Sequence, residues 1–364
     1  MTMPRLPDLR GAQIGNEVVV EWGDHGKLIK QVRATVERFP YLTEGRNDKV
    51  ETGGGAMSII VTGASGKFGR LVTDLLLREL PPSELILVTR RPATLDHLKR
   101  RGAQVRYGDF DDSQSLREAF VGGERMLIIS TLSVGRRAEQ HRRAIDAAVA
   151  VGVSHIAYTS SGGAHPDNPA IVIPDHLRTE AALKESGVAY TILRDSLYAE
   201  AVVTEIAPRM LAIGKWVCCA ADGRSPFISK IDCVAVAVKV LTTPGHENKT
   251  YEVAGRELLS FRDAAALTSE MSGQPIEFVV VSDEEEAAGL AAAGVPATYV
   301  EGLNTPGVGT SAIDDIVSYE QGMRGGYFEV SSDDVQHILG RPPRSLRDVF
   351  IEHREIFQRA AAKA

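Results

Sequence analysis

A glycine-rich turn, VTGASGKFG at residues 61–69, most strongly constrains how this chain can fold. It follows the apolar run SII and precedes the amphipathic segment KFGRLVTDLLLREL, so it joins a buried strand to a helix. Small residues let a backbone approach a pyrophosphate, and the helix N-terminus supplies unpaired N–H groups. The alternative is a tight turn without a ligand. We predict a dinucleotide site formed by Gly63, Ser65, Gly66, Lys67, Phe68 and Gly69.

Strand and helix patterns alternate after this turn. Short apolar runs in LILVTR, QVRYGD, RMLIIST, VSHIAYTSS and AYTILR are separated by amphipathic helical segments. The alternation predicts an α/β fold, a Rossmann-type doubly wound parallel sheet covered by helices on both faces. We divide the chain into an N-terminal extension of unknown role (1–56), a Rossmann domain with returning elements from later segments (57–195), and a smaller, mainly C-terminal α/β substrate domain (196–364).

Charge and cysteine content narrow the class of protein. The formal net charge is -7 and no lysine or arginine block stands out, whereas nucleic-acid binding needs a clustered basic face. Three cysteines without zinc-like spacing fit a reducing compartment. No run approaches the roughly 20 apolar residues of a membrane span. We therefore expect a cytoplasmic protein with no nucleic-acid or membrane partner; a homo-oligomer stays open.

The end of the second strand predicts which dinucleotide binds. A site that prefers NAD usually carries an acidic residue there, which holds the ribose 2′-hydroxyl. This chain has VTRRPATL instead, with Arg90 and Arg91 and no carboxylate before Asp96. A guanidinium suits a 2′-phosphate through charge-assisted hydrogen bonds. We predict NADPH as the cofactor and Arg90 as its 2′-phosphate ligand.

Other strand ends should border the same cofactor, because open α/β sheets bind ligands at the carboxyl ends of their strands. The third strand is followed by GDFDD, the fourth ends in IISTLS, and the fifth ends in AYTSS. Each residue has the alternative role of a strand cap. The further cofactor candidates are Asp109 and Phe110 for adenine, Ser130, Thr131 and Leu132 for ribose and nicotinamide, and Thr159 and Ser160.

Across Met57 to about Phe350 the chain resembles the NmrA-like atypical short-chain dehydrogenases/reductases, and among them bacterial NADPH:quinone oxidoreductase type 2 and triphenylmethane reductase. The matching segments include TGASGKFG, VTRRPATL, DHLRTEAALKESGVAYTILRDSLYAE and GGYFEVSSDDVQHILG. The resemblance implies an NADPH-bound Rossmann domain with a small C-terminal substrate domain. Residues 1–56 have no counterpart. A phrase that often reads Arg-Asn is here Arg194-Asp195, which adds a carboxylate near the cleft.

The region that carries Tyr-x-x-x-Lys in ordinary short-chain dehydrogenases offers His176 and Glu180 instead. His176 has three interpretations: a metal ligand, a general acid, or a structural residue paired with Glu180 across one helical turn. One neighbouring carboxylate is too few ligands for a catalytic zinc, so we predict no metal site. Tyr198 should face the cleft after the sixth strand. Tyr158 ends the fifth strand, where packing in the core against a helix is the slightly stronger interpretation. The catalytic candidates are His176, Tyr198 and Tyr158.

The missing tyrosine–lysine pair favours acceptors that take hydride readily, since these need only solvent or a weak acid for the proton. We predict an NADPH-dependent oxidoreductase that transfers hydride to a quinone or a similar planar, conjugated aromatic acceptor. Two alternatives stay open: a carbonyl or enone reductase in which His176 or Tyr198 is the proton donor, and a non-enzymatic NADP-sensing regulator.

Overall fold

Seven parallel strands form the central sheet of the computed structural model, which describes residues 57–303, 305 and 308–361. The predicted extension, 1–56, lies outside the described residues. The order across the sheet is β3-β2-β1-β4-β5-β6-β9, with every pairing parallel. The strands are β1 (Ile59–Val61), β2 (Leu85–Thr89), β3 (Gln104–Tyr107), β4 (Arg125–Ile128), β5 (His155–Ser161), β6 (Ala189–Asp195) and β9 (Lys249–Val253).

The direction of winding reverses at β1. The chain runs outward through β2 and β3 on one side of β1 and then through β4, β5 and β6 on the other. A crevice therefore opens at the carboxyl ends of β1 and β4, where doubly wound sheets bind their ligands. The predicted Rossmann-type fold is confirmed.

Helices cover both faces of this sheet, which is why β1 and β2 are buried along their whole length. Helices α1 and α8 pack together on one face, while α3, α4 and α5 cover the other. The helices of this sandwich are α1 (Lys67–Glu79), α2 (Asp96–Lys99), α3 (Ser113–Phe120), α4 (Arg137–Ala150), α5 (Ile173–Glu185) and α8 (Lys230–Thr242). Short 3-10 turns span Pro82–Glu84 and Pro92–Leu95.

The later part of the chain builds a second apolar core beside the sheet, centred on Trp216, Phe227, Phe261 and Phe350. Two small sheets accompany it: β7 (Lys215–Cys218) pairs with β11 (Glu277–Val280), and β8 (Arg224–Ser225) with β10 (Leu259–Ser260). Its helices are α6 (Ala199–Ala201), a π-helical turn (Val202–Ile206), α7 (Ala207–Ile213), α9 (Phe261–Ser272), α10 (Asp283–Ala292), α11 (Ile313–Arg324), α12 (Asp334–Leu339), α13 (Leu346–Glu352) and α14 (Arg354–Ala361).

The segment KTYEVAG returns to the main sheet as β9, which pairs with β6. A division of the chain at residue 195 stays a prediction. Within the described ranges, none of the helices combines the length and apolar character needed to cross a bilayer.

Candidate cofactor and active site

The glycine loop is shaped to receive a phosphate group. Gly63 has a positive φ of +60°, and a Cβ on Gly69 would lie 2.4 Å from the carbonyl oxygen of Gly63. Glycine is therefore required at both positions. Helix α1 begins directly after Gly66, which provides no side-chain cap, and its first turn contains no acidic residue. The first N–H groups of α1 are thus available to an anion, and the loop fits a dinucleotide pyrophosphate.

Hydrogen bonds tie this loop to the end of β2. The Ser65 hydroxyl lies 2.7 Å from the Thr89 hydroxyl, and Arg70 Nε donates to the Ser65 carbonyl at 2.9 Å. Arg90 follows β2 with a side chain that is 60% exposed, and its Nη1 donates to Glu301 Oε1 at 2.7 Å. An exposed pair of this kind contributes little stability, so the Arg90 guanidinium is free to exchange partners.

The other predicted cofactor residues line the same edge in different states of exposure. Leu132 is exposed after β4, whereas Thr159 and Ser160 are buried at the end of β5. The Thr159 hydroxyl accepts a hydrogen bond from the Ser130 N–H at 2.9 Å, which links the two strand ends. Asp109 and Phe110 follow β3. Their roles as cofactor ligands stay predictions.

His176 belongs to a buried polar network between β5 and helices α4 and α5. Its Nε2 lies 2.8 Å from Arg137 Nη1, and its Nδ1 lies 2.8 Å from the Tyr158 hydroxyl. Because arginine can only donate, Nε2 accepts and Nδ1 carries the ring proton. Burial, assisted by the Arg137 charge, lowers the pKa of His176 well below its usual value. The imidazole is neutral near pH 7, which favours the structural interpretation over the general acid.

Tyr158 is fully buried, and its side chain packs in the core beneath α4 and α5. Burial is the main reason that its pKa lies far above the usual value. A hydroxyl in this position is poorly placed to reach a substrate in the cleft. A catalytic role for Tyr158 stays a prediction, and the geometry favours packing.

The structural interpretation of His176 included pairing with Glu180 across one helical turn, and this pairing is not found. The Glu180 carboxylate instead accepts two hydrogen bonds from Arg194, at 3.0 and 2.8 Å, and one from the Ser160 hydroxyl at 2.7 Å. The reason is that α5 turns Glu180 towards β5 and β6, where a buried carboxylate needs a cation. Within the described ranges, no group of three or more His, Cys, Asp or Glu side chains is arranged to hold a metal ion.

Replacement of Glu180 by glutamine should lower the free energy of unfolding by about 3 kcal/mol, because it leaves a partly buried guanidinium without its bidentate partner. Urea denaturation measures the effect. Glu185→Gln is the matched control: Glu185 forms an exposed ion pair with Arg142 at 3.4 Å, and its loss should cost within about 0.5 kcal/mol. Equal effects of the two substitutions would refute the structural role of Glu180.

Two residues of the buried network, Arg137 and His141, were missed by the sequence interpretation. Arg137 Nε donates to the Thr131 carbonyl at 2.6 Å, and the Thr131 N–H donates to His141 Nε2 at 3.2 Å. Both therefore hold the segment after β4. The available signal was the pair of polar residues four apart in RRAEQH, which places them on one helical face.

His141 should make stability sensitive to acid. Burial lowers its pKa to about 3, whereas an unfolded histidine titrates near 6.5. Between these values the unfolded chain binds more protons, so the free energy of unfolding falls as the pH falls below about 6.5. From pH 7 to pH 5 the loss attributable to this residue is about 2 kcal/mol.

Urea denaturation at both pH values tests this assignment. His141→Gln should show a smaller loss on acidification than the wild type, whatever its stability at pH 7. His337→Gln, which alters an exposed residue of α12, serves as the control and should keep the wild-type loss. A wild-type pH dependence in His141→Gln would contradict the proposed burial of a neutral imidazole.

Tyr198 follows the sixth strand and lies beside the glycine loop. Its ring stacks with Phe68 at a centroid distance of 6.3 Å, and its hydroxyl donates to Asp195 Oδ2 at 2.8 Å. Lys230 Nζ stands 5.1 Å from the ring centroid on α8. Of the three catalytic candidates, Tyr198 is the one placed against a cofactor-binding element.

Comparisons with known proteins agree with this geometry. A family model described as NAD(P)H-binding matches residues 63–244. Quinone oxidoreductase 2 of Escherichia coli (strain K12) is 34% identical over 291 residues, which cover 80% of this chain and 96% of that protein.

Two solved structures are also similar over most of the chain. The NADPH-dependent quinone oxidoreductase QOR2 of E. coli, complexed with NADPH, matches with a TM-score of 0.73 and 32% identity, covering 81% of this chain and 99% of that one. Citrobacter sp. triphenylmethane reductase, complexed with NADP(H), matches with a TM-score of 0.72 and 31% identity, again covering 81% and 99%.

The fold and the glycine loop define a Rossmann-type nucleotide-binding protein, and the similarity to quinone oxidoreductases places it in the oxidoreductase class. The chain belongs to the NAD(P)H-binding family. The predicted resemblance to quinone oxidoreductase type 2 and triphenylmethane reductase is confirmed by both comparisons.

Proposed function

We propose that this protein is an NADPH-dependent oxidoreductase that reduces quinones or similar planar, conjugated aromatic acceptors. The observation that carries the proposal is the juxtaposition of a glycine loop fitted to a pyrophosphate with the exposed Arg90 guanidinium at the next strand end. The names of the similar E. coli and Citrobacter proteins support the same cofactor and acceptor class.

Separate residues bind the cofactor and contact the acceptor. Gly63, Gly66 and Gly69 admit the pyrophosphate, and Arg90 neutralises the 2′-phosphate. Bound NADPH supplies the hydride. Tyr198 is the residue we assign to the acceptor, because its ring flanks the loop and its hydroxyl lies at the cleft edge of β6.

The buried network argues against His176 as the acid of the reaction. A neutral His176 fixed between Arg137 and Tyr158 provides no strong acid, in contrast to the Tyr-x-x-x-Lys arrangement of ordinary short-chain dehydrogenases. A quinone or a cationic dye accepts hydride without prior protonation. Such acceptors therefore need a proton only after hydride transfer. A cytoplasmic location, the lack of a nucleic-acid partner and the oligomeric state stay predictions.

Oxidation of NADPH against a panel of quinones, triarylmethane dyes, enones and aldehydes tests the proposed function. We expect turnover with quinones or dyes and little with aliphatic aldehydes. Turnover confined to enones or aldehydes would instead support the carbonyl or enone reductase. Tight NADPH binding with no turnover of any acceptor would support a dinucleotide sensor and refute the enzyme assignment.

A further inference from the structure

Asp195 differs from Glu180 and Asp232, two other buried carboxylates near the site, because it has no cationic partner among the described residues. Its side chain is 8% exposed at the carboxyl end of β6. Glu180 pairs with Arg194, and the fully buried Asp232 pairs with Arg341 at 2.7 Å. The hydrogen-bond partner of Asp195 is the Tyr198 hydroxyl, which lies 2.8 Å from Asp195 Oδ2.

The second oxygen of Asp195 is also unusual. Oδ1 is buried and accepts no hydrogen bond from the described residues. The Cys233 thiol approaches the carboxyl without a well-formed hydrogen bond. Leaving a carboxylate oxygen desolvated and unpaired is costly, whereas a protonated carboxyl tolerates this environment much better.

The titratable groups around Asp195 and Tyr198 do not remove this cost. They are Cys233, Asp232, Glu200 and Lys230. The Glu200 carboxylate accepts hydrogen bonds from the Ser229 hydroxyl at 2.9 Å and from the Lys230 N–H at 2.8 Å. The Lys230 ammonium stands over the Tyr198 ring rather than beside the Asp195 carboxyl.

We propose that Asp195 and Tyr198 form a proton relay for the reduced acceptor, with Tyr198 as the catalytic acid and Asp195 as the residue that reprotonates it. This inference rests on the proposed function. It assigns a role to the unpaired Asp195 carboxyl, and it identifies a proton source other than the buried His176.

The reaction balances as one hydride, which carries two electrons, and one proton. Reduced nicotinamide is the reductant, and the acceptor oxygen becomes negative as the acceptor gains hydride. The Tyr198 O–H bond then breaks as a new O–H bond forms on that oxygen. With Asp195 protonated on Oδ2, the carboxyl donates across the 2.8 Å contact to the Tyr198 oxygen, which leaves the Tyr198 hydroxyl hydrogen for the acceptor. The carboxyl proton moves along that contact to the Tyr198 oxygen, and the resulting carboxylate takes one proton from solvent.

The pH dependence of the relay follows from the burial of Asp195. Desolvation, opposed in part by the Tyr198 hydroxyl and the Cys233 thiol, raises the pKa of Asp195 to about 7. Above that pH the carboxyl is ionised, and loss of the Tyr198 proton would create a phenolate beside a carboxylate. The rate should therefore fall as the pH rises through about 7.

Menadione reduction at saturating NADPH, followed from about pH 5.5 to 8.5, tests the relay. We expect a wild-type kcat that declines above pH 7. Asp195→Asn should be about tenfold slower at pH 6 and should lack the alkaline decline, and Tyr198→Phe should lose the same decline. Glu286→Gln is the matched control, since Glu286 is a buried carboxylate of α10 whose pKa burial raises to about 7; its kcat profile should match the wild type.

A second measurement uses the protein without cofactor or acceptor. In the folded chain Asp195 binds its proton up to about pH 7, whereas in the unfolded chain it releases it near pH 4. The wild type should therefore lose stability relative to Asp195→Asn as the pH rises from about 4 to 7. The urea midpoint of Asp195→Asn minus that of the wild type should increase over this range.

The outcomes separate the relay from the function on which it rests. Wild-type turnover of menadione, with the same rate and pH profile in Asp195→Asn, overturns the relay alone. A constant difference in urea midpoint between the two proteins also overturns it, because Asp195 would then not hold a proton. No menadione turnover by the wild type, despite NADPH binding, overturns the relay together with quinone reduction.

Discussion

Arg90→Glu should raise the Kd for NADPH about 100-fold while it leaves the Kd for NADH within about threefold. A hydrogen bond to a charged group contributes roughly 1.5–3 kcal/mol, and each 1.4 kcal/mol is a tenfold change in affinity. Reversal of the charge adds repulsion between the new carboxylate and the 2′-phosphate. NADH lacks this phosphate and should be almost unaffected. Titration of both nucleotides by fluorescence or calorimetry measures the two constants.

Glu301→Gln is the control for this substitution. It removes the 2.7 Å ion pair with Arg90 but keeps the guanidinium, so NADPH binding should be retained or become tighter. If Arg90→Glu weakened both nucleotides equally, the guanidinium would not be the 2′-phosphate ligand. Equal loss of NADPH affinity in Arg90→Glu and Glu301→Gln would show instead that the ion pair itself maintains the site.

Gly69→Ala should reduce NADPH affinity at least tenfold and lower the free energy of unfolding by about 1–3 kcal/mol. The added Cβ would lie 2.4 Å from the Gly63 carbonyl oxygen and 2.8 Å from the Ala64 Cα. Both neighbours are backbone atoms, so the loop must move away from α1. That movement displaces the N–H groups that we expect to face the pyrophosphate. Nucleotide titration and urea denaturation measure the two effects.

Gly289→Ala provides the comparison, because a Cβ at this exposed position of α10 meets no atom within 4 Å. Alanine in a helix interior should be neutral or stabilising by up to about 1 kcal/mol, without any effect on NADPH binding. Unchanged affinity in Gly69→Ala would contradict the close packing between the loop and the helix.

The fold could be predicted from local signals. Buried runs such as LILVT and the three glycines of the loop each act over a few residues, and together they specify parallel strands with helical crossovers. The position of Tyr198 after the sixth strand followed from the same logic, whereas its contact with Phe68 of the glycine loop did not. The place of the seventh strand in the sheet was harder to predict, because β9 pairs with β6 across more than 50 residues of intervening chain.

The partners of polar side chains were not predictable in this way. Glu180 sits four residues after His176, yet it faces Arg194 of β6, because the rotation of α5 against the sheet decides its neighbours. Burial of Tyr158 was the stronger interpretation from the sequence, but its contact with His176 emerges only from the packing of α5 on the sheet. Asp195 was visible as an extra carboxylate, but its lack of a cationic partner emerges only from the packing of β6 against α8.

An anaerobic single-turnover reaction tests whether this protein transfers hydride from NADPH to a quinone-type acceptor. The protein is loaded with NADPH and mixed with menadione while nicotinamide absorbance and menadiol are followed together. We expect loss of the reduced nicotinamide signal and one menadiol formed for each bound NADPH. Persistence of bound NADPH in the presence of excess menadione, with no menadiol formed, would contradict this hydride transfer.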